Sequence, residues 1–115
     1  MSRLLRALLP LVLAFTVAGC SPQSPMSTAD PTTIRLDIVA DAPTEPVEEQ
    51  VPLGSLVTLE VSSAVDGVLH VHGYEEELEL TAGETTQKTF TANMSGAFEV
   101  ETHEPDAVWV KLVVS

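Results

Sequence analysis

Residues 56–74 read LVTLEVSSAVDGVLHVHGY. Val57, Leu59 and Val61 fall on alternate positions, the period of a strand with one buried face. Asp66-Gly67 is a tight-turn pair, because both residues tolerate the backbone that a short hairpin demands. A second strand, Val68 to Tyr74, follows it. The same grammar extends in both directions. Upstream, Ile34-Arg35-Leu36-Asp37-Ile38 alternates and should turn Ile34, Leu36 and Ile38 inward. Ala42 to Pro46 breaks that strand, a short one spans Val47 to Val51, and Pro46 marks it as an edge. Pro52-Leu53-Gly54-Ser55 is a turn. Downstream lie Glu77 to Leu80, Thr85 to Ala92 with Phe90 as anchor, Phe98 to Thr102, and Val108 to Val114. Ala82-Gly83, Asn93 to Gly96 and Pro105-Asp106 separate them. Val108, Val110, Leu112 and Val114 should share the inner face, with Trp109 opposite.

No window beyond Thr33 sustains a helical period. Seven or eight strands at a spacing of roughly 8–12 residues predict an all-β fold, a Greek-key β-sandwich. Two packed sheets are the smallest arrangement that covers one face of every strand. The pattern suits an immunoglobulin-like or a cupredoxin-like sandwich, and the Cys…Trp…Cys spacing of immunoglobulin domains is absent.

The chain has 115 residues and a formal charge of −12. Arg3 and Arg6 precede Cys20, so beyond that point 17 acidic residues face 3 basic ones, a formal −14. Such a surface repels phosphate backbones and excludes nucleic-acid binding as a function. The length suits one domain, 34–115, and not a multidomain enzyme. No G-x-S-x-G, HExxH or phosphate-loop pattern occurs, and no nucleophile is paired with a base. The sequence therefore predicts a binding or structural module and no enzyme.

The first 20 residues are MSRLLRALLPLVLAFTVAGC. Two arginines lead an apolar run, from about Leu8 to Val17, that is too short to span a bilayer. Val17-Ala18-Gly19-Cys20 resembles the lipobox of bacterial lipoproteins. That resemblance implies a signal peptide over 1–19 and acyl chains on Cys20, the only cysteine. Two or more chains give lasting anchorage where one does not. Ser21 at the next position, in place of Asp, favours the outer membrane where the host has one. Residues 20–33 carry Pro22, Pro25 and Pro31 among Ser, Thr and Gln, and are expected to be a disordered tether.

From Val51 the chain runs through Gly54, then Leu69-His70-Val71-His72-Gly73-Tyr74, Ala82-Gly83, Phe90-Thr91-Ala92 and Gly96-Ala97-Phe98. This order resembles bacterial cupredoxin-like domains over residues 34–115. The resemblance implies that His70 stands where such domains place their first copper-ligating histidine. It also implies a thiolate six residues after Gly96, where this chain has Thr102, and an axial Met where none follows Met94. Blue-copper electron transfer is not expected, since that chemistry needs a thiolate.

His70, His72 and His103 are all the histidines of the chain. Two positions apart on a strand, His70 and His72 share a face about 6–7 Å apart. In the topology that the resemblance implies, His103 ends the neighbouring strand and approaches the same end. With a carboxylate such as Glu101 or Glu104, these imidazoles suit copper(II) or zinc(II). The alternative is a metal-free interaction or structural module of the cell envelope, with His70 and His72 as ordinary strand residues. One question stays open in sequence. Alternation puts Leu69 and Val71 inward, the family register puts His70 and Tyr74 inward, and a bulge near Gly73 would reconcile the two. Glu75-Glu76-Glu77-Leu78-Glu79 reads as a solvated edge that discourages aggregation, or as a docking patch for a basic envelope protein.

Overall fold

The computed structural model describes Gly19 and residues 29–115. The leader, Cys20 and the tether up to residue 28 lie outside the described residues. Eight strands make up the domain: β1 (Thr32–Ile38), β2 (Val47–Val51), β3 (Leu56–Ser63), β4 (Gly67–Val71), β5 (Glu76–Leu80), β6 (Thr85–Thr91), β7 (Gly96–His103) and β8 (Asp106–Val114). They form two sheets, a three-stranded one in the order β1-β3-β6 and a five-stranded one in the order β2-β8-β7-β4-β5. β1 runs parallel to β3, β2 runs parallel to β8, and the remaining pairs are antiparallel. The fold is the all-β Greek-key sandwich read from the alternation, and β2 lies at an edge as Pro46 indicated. Among the described residues no helix is long and apolar enough to cross a membrane.

The core sits between the sheets. Ile34 and Ile38 of β1 and Val57, Leu59 and Val61 of β3 face Leu69, Val71, Val100, Val110, Leu112 and Val114 of the larger sheet. Each fully buried side chain of this kind contributes about 1.5–3 kcal/mol of transfer free energy. The alternate positions of β3 are polar and bond across the outer face. Thr58 meets Thr89 at 3.2 Å, Ser62 meets Thr85 at 2.9 Å, and Glu60 accepts from Arg35 and Gln87. β1 begins at Thr32, where the Ser55 hydroxyl reaches both the Asp30 carbonyl and the Thr32 hydroxyl.

β7 and β8 carry the one irregularity of their ladder. Val100 pairs with Val110 and Glu101 with Val108, so Trp109 is the extra residue of a bulge. This corrects the expected parity. Val108, expected inward, pairs with Glu101 on the outer face and is half-buried, and Trp109, expected outward, is buried. A bulge near Gly73, which would have reconciled the two registers, is not what the chain uses. β4 ends at Val71, and residues 72–75 form a turn. Gly73 takes φ +93° in that turn, and a Cβ on it would stand 2.6 Å from the Phe98 ring, so only glycine fits.

Bulging brings the indole of Trp109 onto Thr102, the buried hydroxyl of β7. Trp109 Nε1 donates to Thr102 Oγ1 at 2.8 Å, and Thr102 Oγ1 donates to the Pro105 carbonyl. Both capacities of the hydroxyl are used, and no described buried side-chain polar atom lacks a partner. Thr102→Val keeps the shape and strands the indole N–H. It is expected to lower stability by about 1–3 kcal/mol, read as a lower urea midpoint at unchanged slope. A loss below about 0.5 kcal/mol would mean that the bulge does not depend on this bond.

Candidate metal centre

The pleat decides where the histidines go. Leu69 and Val71 are 1% exposed each, so the residues between and after them point away from the core. His70 therefore projects from the outer face of the five-stranded sheet, and the alternation reading prevails over the family register. Tyr74 leaves the strand through the turn and packs on Phe90 and Phe98, at ring separations of 5.1 and 4.6 Å. Its hydroxyl donates to the Met94 carbonyl at 2.6 Å and accepts from the Met94 N–H.

On β7 the same rule applies. Val100 and Thr102 are buried, so Glu101 and His103 take the outer face. The register sets Glu101 directly beside His70. His72, the first residue past β4, is held by its N–H donating to the Glu99 carbonyl at 2.8 Å. The three imidazoles converge on one atom. Glu101 Oε1 lies 3.7 Å from His70 Nδ1, 3.6 Å from His72 Nδ1 and 4.0 Å from His103 Nε2. The rings of His70 and His72 stand edge-to-face with centroids 5.8 Å apart.

These separations are too long for hydrogen bonds. They are close to the spacing of atoms that share an ion. Tetrahedral ligands at about 2.0–2.1 Å from zinc stand roughly 3.3 Å from one another. One ligand atom each from His70, Glu101 and His103 lies within 4.8 Å of the other two. His72 joins this group through Glu101 alone. Nitrogen and carboxylate donors without sulfur suit copper(II) or zinc(II), so the residues present fit such an ion. Exposure divides the set. The side chains of His70 and Glu101 are 17% and 18% exposed, while those of His72 and His103 are 68% and 75%.

All three histidines named from sequence thus meet at one carboxylate, and Glu101 rather than Glu104 supplies it. What sequence reasoning missed is Glu75, read only as part of an acidic edge. Glu75 Oε2 lies 3.3 Å from His70 Nε2, and its Oε1 accepts from the Gly73 N–H at 3.2 Å. The readable signal was Gly73 itself, whose turn folds the acid back over the strand. The Gly73 N–H first, and His70 second, hold the Glu75 carboxyl below its ordinary value of 4.5. The other acids of the run stay on the edge strand. Glu77 pairs with His70 in register, and Glu76 bridges to Lys88 of β6 at 3.0 Å.

No family model matches the chain, and no curated protein matches it. Solved structures do. A chain of a heme-copper terminal oxidase dimer aligns with a TM-score of 0.58 at 18% identity, over 86% of this chain and 76% of that one. Fet3p, a multicopper oxidase that functions in iron import, aligns at 0.55 and 12% identity, over 72% of this chain. The multicopper oxidase mgLAC aligns at 0.51 and 15% identity, over 73% of this chain. The chain spans only 23% and 39% of those two oxidases. At such identities the likeness shows the fold, which is cupredoxin-like.

A carboxyl with a depressed pKa stabilises the fold above its unfolded value, and that contribution disappears as pH falls through the folded one. Carbon-13 titration of Glu75 should therefore give a midpoint below 4.5. In His70→Ala the midpoint should rise but stay below that value, because the larger cause, the Gly73 N–H, is untouched. A midpoint unchanged by His70→Ala would show that the imidazole does not reach the acid.

Proposed function

We propose that this chain is a membrane-anchored envelope lipoprotein whose cupredoxin-like domain is a non-catalytic binding module for copper(II) or another divalent metal. The observation that carries the metal reading is the convergence of three imidazoles on Glu101 Oε1 at 3.6–4.0 Å. His70 and Glu101 form the fixed half of the site, each on a strand of the five-stranded sheet. His103 at the strand end and His72 in the turn form the adaptable half. The domain is not an electron carrier of the blue-copper kind. The position counted for a thiolate holds Thr102, whose hydroxyl is saturated by Trp109 and Pro105. The acylated Cys20 holds the module to the bilayer, with the outer membrane favoured by Ser21, and the acidic edge faces basic envelope partners.

Copper(II) titration of the full chain in detergent micelles, followed by electron paramagnetic resonance and calorimetry, tests the metal reading. One equivalent should bind with nitrogen coordination, without an intense thiolate-to-copper band. His70→Ala and His103→Ala should each weaken binding at least about tenfold, or 1.4 kcal/mol. Trp109, the single tryptophan, lies across the bulge from Glu101, so its fluorescence should fall in step with loading. Affinity no better than that of free histidine would favour the metal-free interaction module. Mass spectrometry of the membrane-extracted protein tests the anchor. The mature chain should begin at Cys20 and carry acyl chains, and an intact leader or an unmodified thiol would remove that part of the proposal.

A further inference from the structure

His70 is held from both sides of its ring. Nδ1 faces Glu101, and Nε2 lies 3.3 Å from Glu75 Oε2. An ionised carboxylate can only accept, so the contact with Glu75 requires a proton on Nε2. In the neutral ring the lone pair then sits on Nδ1, the atom 3.7 Å from Glu101 Oε1, where His72 and His103 also approach. Glu75 has contacts of its own, although its side chain is 73% exposed. Its other oxygen accepts from the Gly73 N–H at 3.2 Å, and its backbone takes φ +55°, unusual for a residue with a Cβ. Its own N–H donates to the Val71 carbonyl at 3.0 Å, which closes the turn over the end of β4. Gly73 has no room for a side chain against Phe98, so the turn that presents Glu75 is anchored to the core.

We propose that Glu75 is the positioning residue of the metal centre: it locks His70 as the Nε2–H tautomer and so assigns Nδ1 as the metal-binding atom. The proposal rests on the metal reading above and adds to it the ligand atom and the residue that selects it. Histidines that bind metals generally donate their other N–H to such a partner, and removal of the partner weakens metal binding about 10–100-fold. Ligation through Nδ1 brings the ion close to the β4 backbone, and Glu101 Oε1 and His72 Nδ1 lie on that same side.

The test uses the full, nitrogen-15-labelled chain in detergent micelles, stripped of metal, at about pH 8.5, above the ordinary imidazole range. Long-range proton–nitrogen correlations should show His70 as Nε2–H. Addition of zinc(II) alone should move the His70 Nδ1 resonance and leave the Nε2 proton in place. In Glu75→Gln the amide cannot accept from both Gly73 and His70. If its oxygen keeps the Gly73 N–H, its NH2 group faces Nε2 as a donor and drives the proton to Nδ1, the ligating atom. Zinc(II) affinity should then fall about 10–100-fold while the strand amide resonances stay in place, and Glu75→Ala, which removes the partner outright, should lose affinity within the same range. A wild-type His70 found as Nδ1–H overturns the proposal. So does a Glu75→Ala chain with wild-type tautomer and affinity. A wild-type chain that binds no zinc(II) overturns the reading of the site itself, and is told apart because it leaves the variants nothing to lose.

Discussion

Burial of Leu69 and Val71 on one side of β4, and of Val100 and Thr102 on one side of β7, is the constraint on which the rest depends. A pleated strand has two faces, and a residue assigned to the core assigns its neighbours to solvent. Once these four pack inward, His70, Glu101 and His103 must stand on the outer surface of the same sheet. The antiparallel register then sets His70 beside Glu101. The candidate site is thus a consequence of core packing. A one-residue slip of β7 would carry Glu101 into the apolar layer and His70 would lose its carboxylate. The energy that keeps the donors together is the hydrophobic energy of the opposite face.

Most of this was legible, because the signals were local. Clean alternation in Ile34–Ile38, Val57–Val61 and Phe98–Thr102 revealed strands whose apolar residues are the buried ones. The choice of face for β4 was legible in principle, since Leu69 and Val71 bring more apolar surface to the core than two imidazoles. The β8 parity was not legible. Val108, Val110, Leu112 and Val114 spell an unbroken stripe, and only the bulge opposite Val100 and Glu101 breaks it. A bulge is a property of a pair of strands, invisible in either alone. The same holds for Glu75. Its run of acids reads as an edge, and its part in the site depends on a turn set by contact between Gly73 and Phe98.

The bulge also explains what fills the place where the family resemblance puts a thiolate. Inserting Trp109 restores inward phase to Ala107, which pairs with the buried Thr102, and leaves Asp106 opposite His103. Without the extra residue an acidic side chain would turn toward the core, at a cost of several kcal/mol for an unpaired charge. The indole then needs a partner for its N–H, and Thr102 needs an acceptor for its hydroxyl. Pro105 supplies the acceptor, so the interior beside β7 is closed by neutral groups with complete hydrogen bonding.

That division has a chemical consequence. An ion held between the sheets must shed its water and take the geometry that packed ligands hold fixed, as electron transfer requires. On the outer face the desolvation cost is smaller, and the ligands differ in freedom. His70 and Glu101 are mostly covered and sit within paired strands, whereas His72 and His103 are largely exposed. A site with two covered and two exposed donors can change coordination as an ion arrives or leaves. It does little to hold one geometry through a change of oxidation state. On the proposed metal reading, preorganisation from Glu75 and the sheet would set the affinity, and the exposed imidazoles would set the rate of exchange. On that reading, capture and release of a divalent ion is the chemistry that the arrangement favours over redox cycling.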